Sequence, residues 1–282
     1  MTERAVAVQL EEVSGPSALG GGRRRFFDLL LLVSVIEFKR TYFGTALGYA
    51  WSLLRPLLLF GVLLFVFTQI FRIGSQVPNY AALLLFNIVL FGLFQEATSA
   101  SVTSVVSQEG IVRKTQFPRL VIPLAIVLTS LFNLGMNMIA VLIFFFVLGV
   151  DPVWTWLLFP VLVLVLLLLT TSVSMLLSSL YVRFRDVGII WSVAVTALFY
   201  GTPLLYPYEI VPDEFRELLA LNPLTPLFIE ARHWIIDPSA PSAPEAVGGW
   251  EHLIAPTAIF VVICLLSVWV FRREAPRVAE EL

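Results

Sequence analysis

The sequence is poor in the residues that crosslink small secreted domains or bind metals. It contains one cysteine, Cys264, and two histidines among 282 residues. A single thiol cannot form a disulfide framework or a cysteine-based metal site within the chain. Because Cys264 lies in an apolar run, we expect it to act as a small buried hydrophobic residue.

Charged residues are also scarce. Only 13% of the residues are charged and 59% are hydrophobic, whereas a typical soluble domain has roughly 25% charged residues. The mean hydropathy of +0.91 agrees with this bias. The composition therefore predicts an integral membrane protein. The formal net charge of -2 is less informative, because what matters in a bilayer is how the charges divide between its two sides.

The N-terminal segment has no features of a cleaved signal peptide. Residues 1–22 are polar and end in GPSALGGG, without a short apolar core followed by a small-residue cleavage site. We expect residues 1–23 to form a flexible cytoplasmic tail. The apolar stretch between Asp28 and Glu37 is shorter than the roughly 20 residues of a spanning helix. Residues 24–42 are therefore predicted to form an amphipathic helix at the membrane interface, although their charges do not gather on one clean face.

Six later stretches are long enough and apolar enough to span a membrane. Together they form a predicted transmembrane domain over residues 43–272, followed by a cytoplasmic C-terminal tail at residues 273–282. The predicted fold class is an all-α integral membrane protein with six transmembrane helices. The expected spans are about 46–71, 80–106, 120–148, 154–182, 187–206 and 252–271.

The distribution of basic residues predicts the orientation. With both termini in the cytoplasm, 14 of the 18 lysines and arginines fall on the cytoplasmic side. Arg72, Arg216 and Arg232 fall outside, and Arg55 lies within the first span. This bias matches the excess of positive charge that cytoplasmic loops carry.

The longest connection on the outer side joins the fifth and sixth spans. Four prolines divide it into short pieces, namely Pro207, Pro212, Pro223 and Pro226. Proline disrupts helix interiors, so these pieces are too short to cross. The fragments DEFRELLAL and LFIEARHWII are instead expected to enter the membrane as a re-entrant hairpin, which is tolerated only against protein or a water-filled cavity.

A charged island, EGIVRKTQFPRL at residues 109–120, separates the second and third spans. Burying Arg113, Lys114 and Arg119 at mid-membrane would cost about 3 kcal/mol each. The island is therefore a cytoplasmic connector, with a short helix that ends near Pro118. From charge alone, an ordinary positive-inside anchor is the simpler explanation.

Four sequence motifs stand in a fixed order between residues 38 and 272. They are FKRTYFGTALGYAWSLLRPLLLFGVLLFVFTQIF, SVVSQEGIVRKTQFPRLVIPLAIVLTSLFN, YVRFRDVGIIW, and GTPLLYPYEIVP followed by ALNPLTPLFIEARHWI. In order and spacing they resemble the permease subunits of type-2 ABC exporters of polysaccharides. These are the Wzm- and TagG-like proteins of O-antigen, teichoic-acid and cell-wall galactan export.

The resemblance implies that the island contains a coupling helix that docks in a groove of a separate ATPase. The implied docking residues are Glu109, Arg113, Lys114, Phe117, Pro118 and Arg119. A second, shorter contact would involve Arg183, Arg185 and Asp186. For these three residues, a local ion pair at the head of the fifth span is an equal alternative.

The chain is not expected to hydrolyse ATP. A phosphate-binding loop places its lysine after a glycine, but Lys39 follows Phe38 and Lys114 follows Arg113. The resemblance implies that ATP and Mg²⁺ bind to the partner ATPase and that this chain holds no cofactor. It further implies two permeases with two ATPases in a bacterial cytoplasmic membrane. The implied partners are the ATPase, a second copy of the chain, membrane lipids and a lipid-linked polysaccharide, but not nucleic acid.

Aromatic side chains are candidates for a sugar pathway, because their faces stack on sugar rings while allowing sliding. The candidates are Trp51, Phe60, Phe67, Phe199, Tyr200, Tyr206 and Tyr208. About half of such a set is expected to be lipid-facing or interfacial bulk instead. Trp154, Trp156 and Trp250 fit an interfacial belt better, because they stand at predicted outer boundaries.

Two ionisable residues lie within predicted spans. Arg55 either snorkels to the interface or lines the point where a lipid-linked pyrophosphate enters. Glu96 lies beside the small-residue stretch ATSASVTS. An intramembrane carboxylate is a functional candidate, but a pairing role within the helix bundle is equally compatible with its position.

Other functions remain as alternatives. A type-2 ABC exporter could carry a drug or a small lipid. A membrane enzyme would need a catalytic cluster, and the outer loop supplies only scattered residues: Glu209, Asp213, Glu214, Glu217, Glu230, His233 and His252. Their spacing favours a solvated acidic surface. Secondary transport would need several deep carboxylates, and Glu96 is the one that qualifies.

Overall fold

The computed structural model describes residues 23–42, 48, 50–72, 74, 77–108 and 120–274. All regular secondary structure in these ranges is helical, as the composition predicts. We number the α-helices in chain order: α1 (Arg23–Tyr42), α2 (Ala50–Phe65), α3 (Tyr80–Ser107), α4 (Val121–Leu148), α5 (Phe159–Arg183), α6 (Val187–Tyr200), α7 (Asp213–Ala220), α8 (Leu224–Ala231), α9 (Ala243–Val247) and α10 (Ile254–Glu274). Short π-helical turns extend α2 through Val66–Ile70 and α8 through Arg232–Ile236.

Helix α1 packs against α4 and bonds to Gln108, just beyond the end of α3. The Thr129 hydroxyl donates a hydrogen bond to the Ser34 carbonyl at 3.1 Å. The Gln108 side-chain amide donates to the Glu37 carboxylate, also at 3.1 Å. α1 is therefore fixed to the bundle through both backbone and side-chain groups. Its position at the membrane interface remains a prediction.

Five helices in the described part of the chain are long and apolar enough to cross a membrane: Ala50–Ile70, Tyr80–Ser107, Val121–Leu148, Trp154–Arg183 and Trp250–Glu274. They correspond to five of the six expected spans. The remaining one, predicted at residues 187–206, is shorter than expected, because α6 has 14 residues and ends at Tyr200. At 1.5 Å per residue, a helix of this length covers about 21 Å, less than the roughly 30 Å of the hydrocarbon core.

Helix α3 is the centre of the bundle. It packs against α2, α4, α5 and α6, and Phe86, Phe91 and Phe94 on it are fully buried. The rings of Phe86 and Phe145 lie 5.9 Å apart, which places the start of α3 beside the end of α4. In the apolar window of α3, 78% of the residues are buried, as expected for a helix that is surrounded by other helices.

Helices α5 and α10 run side by side in the same direction. Ser172 and Cys264 are in contact near their middles, with the hydroxyl 3.3 Å from the sulfur. Arg183 and Arg273 meet at their C-terminal ends. Cys264 is partly buried rather than fully buried, because α10 has mostly exposed apolar side chains.

The segment after α6, residues 202–205, is buried inside the protein, where its irregular backbone is hydrogen-bonded by α3. The Asn87 side-chain amide donates to the Leu204 carbonyl at 3.0 Å, and the Tyr80 hydroxyl donates to the Leu205 carbonyl at 2.7 Å. Leu204 and Leu205 are buried. Irregular backbone at membrane depth requires such partners.

The connection between α6 and α10 folds back into the bundle. On α8, Phe228 is 1% exposed, and its ring lies 6.3 Å from that of Phe91. Phe91 is eleven residues beyond the start of α3, or about 16 Å along the helix axis. Trp156 also packs here, because its indole N–H donates to the Ile235 carbonyl at 2.9 Å.

The three tryptophans expected at the outer boundary differ in exposure. Trp154 and Trp250 are largely exposed, as belt residues are. Trp156 is only partly buried against the core, and its ring lies 5.7 Å from that of Phe145. Trp156 therefore packs against the connection between α6 and α10.

Candidate functional site

A cavity of about 620 Å³ lies between α2, α3 and α4 and reaches the end of α6. We call it the central cavity. Its polar lining residues come from three helices: Trp51, Ser52 and Arg55 on α2, Gln95, Glu96 and Ser99 on α3, and Ser130, Asn133 and Asn137 on α4. A cavity of this size, mostly apolar but with several polar side chains, is suited to a ligand that has both apolar and polar groups.

Trp51 and Arg55 enter the cavity from α2. They are four residues apart, so one helical turn places them on the same face. Leu59, one further turn along, also lines the cavity. Pro56 stands within α2 and removes the N–H that would otherwise bond to the Ser52 carbonyl. The cavity side of α2 thus presents the Arg55 guanidinium and the Trp51 indole, and the helix lacks one backbone hydrogen bond at Pro56.

The opposite wall is held together by side-chain hydrogen bonds. The Asn133 amide on α4 donates to the Glu96 carboxylate on α3 at 2.5 Å. The Asn137 amide donates to the Asn133 carbonyl at 2.9 Å. The sequence interpretation missed Asn133 and Asn137. Two amides four residues apart in a predicted span share a helix face, and that spacing could have identified them.

A smaller cavity of about 230 Å³ lies next to the central one, between α1, α3 and α4. The two cavities share Glu96, Ala100 and Ser130. The smaller cavity also contains Glu37 and Gln108 near the end of α3. Polar side chains therefore line both cavities, from the central cavity to the end of α3 beside α1.

The aromatic candidates divide into two groups. Trp51 and Phe199 line the central cavity. Phe60 is buried with its ring 5.9 Å from that of Phe144, and the Phe67 ring lies 5.5 Å from that of Phe71. Phe60 follows Trp51 by nine residues, which turns it about 180° around the helix. Its side chain consequently faces away from the cavity.

The three tyrosine candidates lie beyond the cavity. Tyr200 is 59% exposed, and its carbonyl accepts a hydrogen bond from the Tyr206 hydroxyl at 2.9 Å. Tyr208 is buried, and its hydroxyl donates to the Arg216 carbonyl at 2.9 Å. Burial raises the pKa of the Tyr208 phenol, so this hydroxyl remains protonated and able to donate. Tyr206 and Tyr208 thus hold backbone in place.

The charged candidates at and just after the end of α5 are exposed. The Arg183 guanidinium carbon lies 5.4 Å from the Phe184 ring centre, and that of Arg185 lies 5.0 Å from the Tyr181 ring centre. Within the described part of the chain, no ion pair joins Asp186 to either arginine. The predicted coupling residues Glu109, Arg113, Lys114, Phe117, Pro118 and Arg119 lie outside the described residues.

The acidic residues of the outer connection hold its backbone and its arginines. The Arg232 guanidinium, whose side chain is 14% exposed, donates to both Glu209 carboxylate oxygens at 2.9 and 3.0 Å. The Glu230 carboxylate accepts from the Ala243 N–H at 2.8 Å. The Arg216–Asp213 pair is more exposed. Among the described residues, no group of three His, Cys, Asp or Glu side chains could hold a metal ion.

Comparison with known proteins identifies relatives along nearly the whole chain. The sequence model of the ABC-2 type transporter family matches residues 29–234. The O-antigen export system permease protein RfbA of Klebsiella pneumoniae is 31% identical over 257 residues, which cover 91% of this chain and 95% of that protein. The protein of the same name from Myxococcus xanthus is 29% identical over 256 residues, with 89% and 95% coverage.

Proposed function

The chain belongs to the ABC-2 type transporter family, and we propose that it is the permease of an ATP-driven exporter that moves a lipid-linked polysaccharide across the bacterial cytoplasmic membrane. The observation that carries the proposal is the central cavity, a largely apolar space into which Trp51, Arg55 and other polar side chains project. The relatives named as O-antigen export permeases support the class of cargo. Teichoic-acid and galactan chains belong to the same class.

The lining of the central cavity suits a sugar attached to a pyrophosphate. Arg55 supplies a planar, permanently charged donor that pairs with phosphate oxygens. The Trp51 indole provides a face on which a sugar ring stacks. Amides and hydroxyls on α3 and α4 donate to and accept from sugar hydroxyls. A drug or small lipid as cargo would need fewer of these polar groups, and it remains the alternative.

Energy for transport comes from a separate ATPase, to which ATP and Mg²⁺ bind. Residues 109–119 act as the coupling segment on the cytoplasmic side. Arg183, Arg185 and Asp186 are available for a second contact, because all three are exposed. Two permeases and two ATPases form the working transporter. Trp51 and Arg55 stand at half-exposed or exposed positions on α2, so a second copy would close the cavity into a pathway.

The topology has six crossings, with both termini in the cytoplasm. The parallel course of α5 and α10 supports this, because the chain after Arg183 must return to the opposite side before Trp250 begins the last span. Together, α6 and the folded-back connection through α8 provide this return crossing, which is the fifth. The connection thus forms a re-entrant hairpin at the outer end, and the arginines that end α5 and α10 face the cytoplasm.

Depletion of the protein in its bacterial host tests the proposal. We expect lipid-linked glycan to accumulate on the cytoplasmic face, with a matching loss at the cell surface. A cysteine introduced at Gln116 should crosslink to the ATPase, whereas one introduced at Tyr200 should not. Normal surface delivery of every envelope glycan after depletion would contradict the proposal.

A further inference from the structure

A separate pocket of about 220 Å³ lies at the C-terminal ends of α5 and α10, away from the central cavity. We call it the α5–α10 pocket. Its functional side chains are Arg183 and Phe184 from the end of α5, and Trp269, Arg273 and Glu274 from α10. We propose that this pocket binds the headgroup phosphate of an anionic phospholipid. The proposal does not depend on which cargo the permease moves.

Two aromatic rings hold the two guanidinium groups in place. The Arg183 guanidinium carbon is 5.4 Å from the Phe184 ring centre, and that of Arg273 is 5.3 Å from the Trp269 ring centre. Such stacking is favourable and restricts the side chain. A guanidinium held in this way loses less conformational freedom when it pairs with a phosphate. The pocket is therefore partly preorganised for an oxyanion.

The charge of the pocket favours an anion. The Arg273 Nε lies 3.7 Å from the Glu274 carboxylate, so this carboxylate offsets part of one guanidinium charge. In the described part of the chain, Arg183 has no ion-pair partner. Two guanidinium groups and one carboxylate leave the pocket with an excess positive charge. Basic pockets between membrane helices at the cytoplasmic surface bind anionic headgroups for this reason.

An apolar stripe leads from the pocket along α10. Val261, Leu265, Trp269 and Arg273 follow at four-residue spacing, so neighbouring members lie one above the other on a stripe that winds gradually around α10. All four are exposed. A lipid whose phosphate occupies the pocket would lay an acyl chain on this stripe, which a soluble anion or an acidic protein surface would leave uncovered.

The size of the pocket also limits its ligand. Its volume of about 220 Å³ is below the roughly 300 to 1,000 Å³ of pockets that enclose drug-sized molecules. A phosphate with part of its glycerol fits this space better than an oligosaccharide does. The last turns of two spanning helices also place the pocket at the height of lipid headgroups, where arginine and tryptophan are common.

Native mass spectrometry of the full-length permease, purified with its ATPase, tests the proposal. The complex would be delipidated and titrated with phosphatidylglycerol or with phosphatidylcholine of the same chain length. We expect phosphatidylglycerol to be retained in preference. The double variant Arg183→Gln/Arg273→Gln should bind it roughly thirtyfold more weakly, because each of the two basic residues near a membrane contributes about 1 kcal/mol.

The matched control is Arg272→Gln, because Arg272 is a neighbouring exposed arginine that does not line the pocket. We expect this variant to retain phosphatidylglycerol like the unmodified protein. Sodium phosphate at millimolar concentration should not displace the lipid, and displacement would assign the pocket to a free anion. Equal lipid binding by the double variant and the control would overturn the proposal. Loss of the ATPase with unchanged lipid binding would assign the arginines to the protein contact and also overturn it.

Discussion

Asn133 on α4 donates a hydrogen bond to the carboxylate of Glu96 on α3 at 2.5 Å, at the wall shared by the two cavities. This bond joins the central helix of the bundle to its neighbour. Asn133 is buried, whereas Glu96 is exposed to the central cavity. Glu96 is therefore a fixed part of the cavity wall.

The first prediction concerns this bond. Glu96→Ala removes the acceptor, and we expect a loss of about 1 kcal/mol in stability, typical of polar contacts between membrane helices. Glu96→Gln keeps an acceptor oxygen and should lose less. Thermal unfolding of the purified complex measures the difference. If both variants unfold like the unmodified protein, the bond does not join α3 to α4.

The second prediction concerns the central cavity. Trp51→Ala and Arg55→Gln should each lower glycan export by about tenfold, equivalent to about 1.4 kcal/mol of lost interaction, without changing the amount of purified complex. Export is measured as surface glycan per cell. Trp154→Ala and Arg272→Gln are the matched controls, because neither residue lines the cavity. Equal export by the cavity variants and the controls would show that the cavity is not part of the transport pathway.

The third prediction concerns the folded-back connection. Phe228→Ala should destabilise the protein by about 3 to 5 kcal/mol, because it deletes a buried ring that packs on Phe91. Phe215 on α7 is 51% exposed, and Phe215→Ala should cost less than about 1 kcal/mol. Denaturation of the two variants in the same detergent compares them. Similar losses would show that α8 is not anchored in the bundle.

The fourth prediction concerns the charges of the outer connection. Glu209→Gln should cost about 1 to 2 kcal/mol, because Arg232 is mostly buried and would lose its closest partner. This value is reduced for the partial exposure of Glu209, whose side chain is 38% exposed. Asp213→Asn affects the more exposed pair with Arg216 and should cost at most about 0.5 kcal/mol. Equal costs in thermal unfolding would contradict the role assigned to Arg232.

Much of the helical architecture follows from the length and boundaries of apolar runs. The predicted spans 80–106 and 120–148 correspond to Tyr80–Ser107 and Val121–Leu148 within two residues. In both cases the apolar residues begin and end abruptly, and the charged island separates the two runs. Such runs determine helix positions, because a long apolar segment inside a bilayer must satisfy its own backbone hydrogen bonds and does so by forming a helix.

The end of α6 could not be read from hydropathy. The sequence stays apolar through GTPLLY, yet the helix stops at Tyr200 because Pro203 disfavours helical backbone at Thr202. Whether such a segment continues to lipid or turns inside the protein depends on partners far along the chain. Here the partners are Tyr80 and Asn87, which no local pattern identifies.

The candidate site was only partly predictable. Trp51, Arg55 and Phe199 were identified from residue type, and they do meet at the central cavity. Phe60 was also selected as an aromatic residue, but its helix phase turns it away from Trp51. Asn133 lines the cavity because α3 and α4 pack in one specific register. That register arises from tertiary packing, which cannot be derived from composition or from local residue spacing.

ATP-dependent movement of glycan in proteoliposomes tests the central claim most directly. The permease and its ATPase would be reconstituted with lipid-linked polysaccharide in the outer leaflet, with the ATPase facing outward. The account predicts that ATP and Mg²⁺ make the glycan inaccessible to an added glycosidase, and that Arg55→Gln greatly reduces this protection while ATP hydrolysis continues. Glycan that stays fully accessible while the unmodified complex hydrolyses ATP would contradict the account.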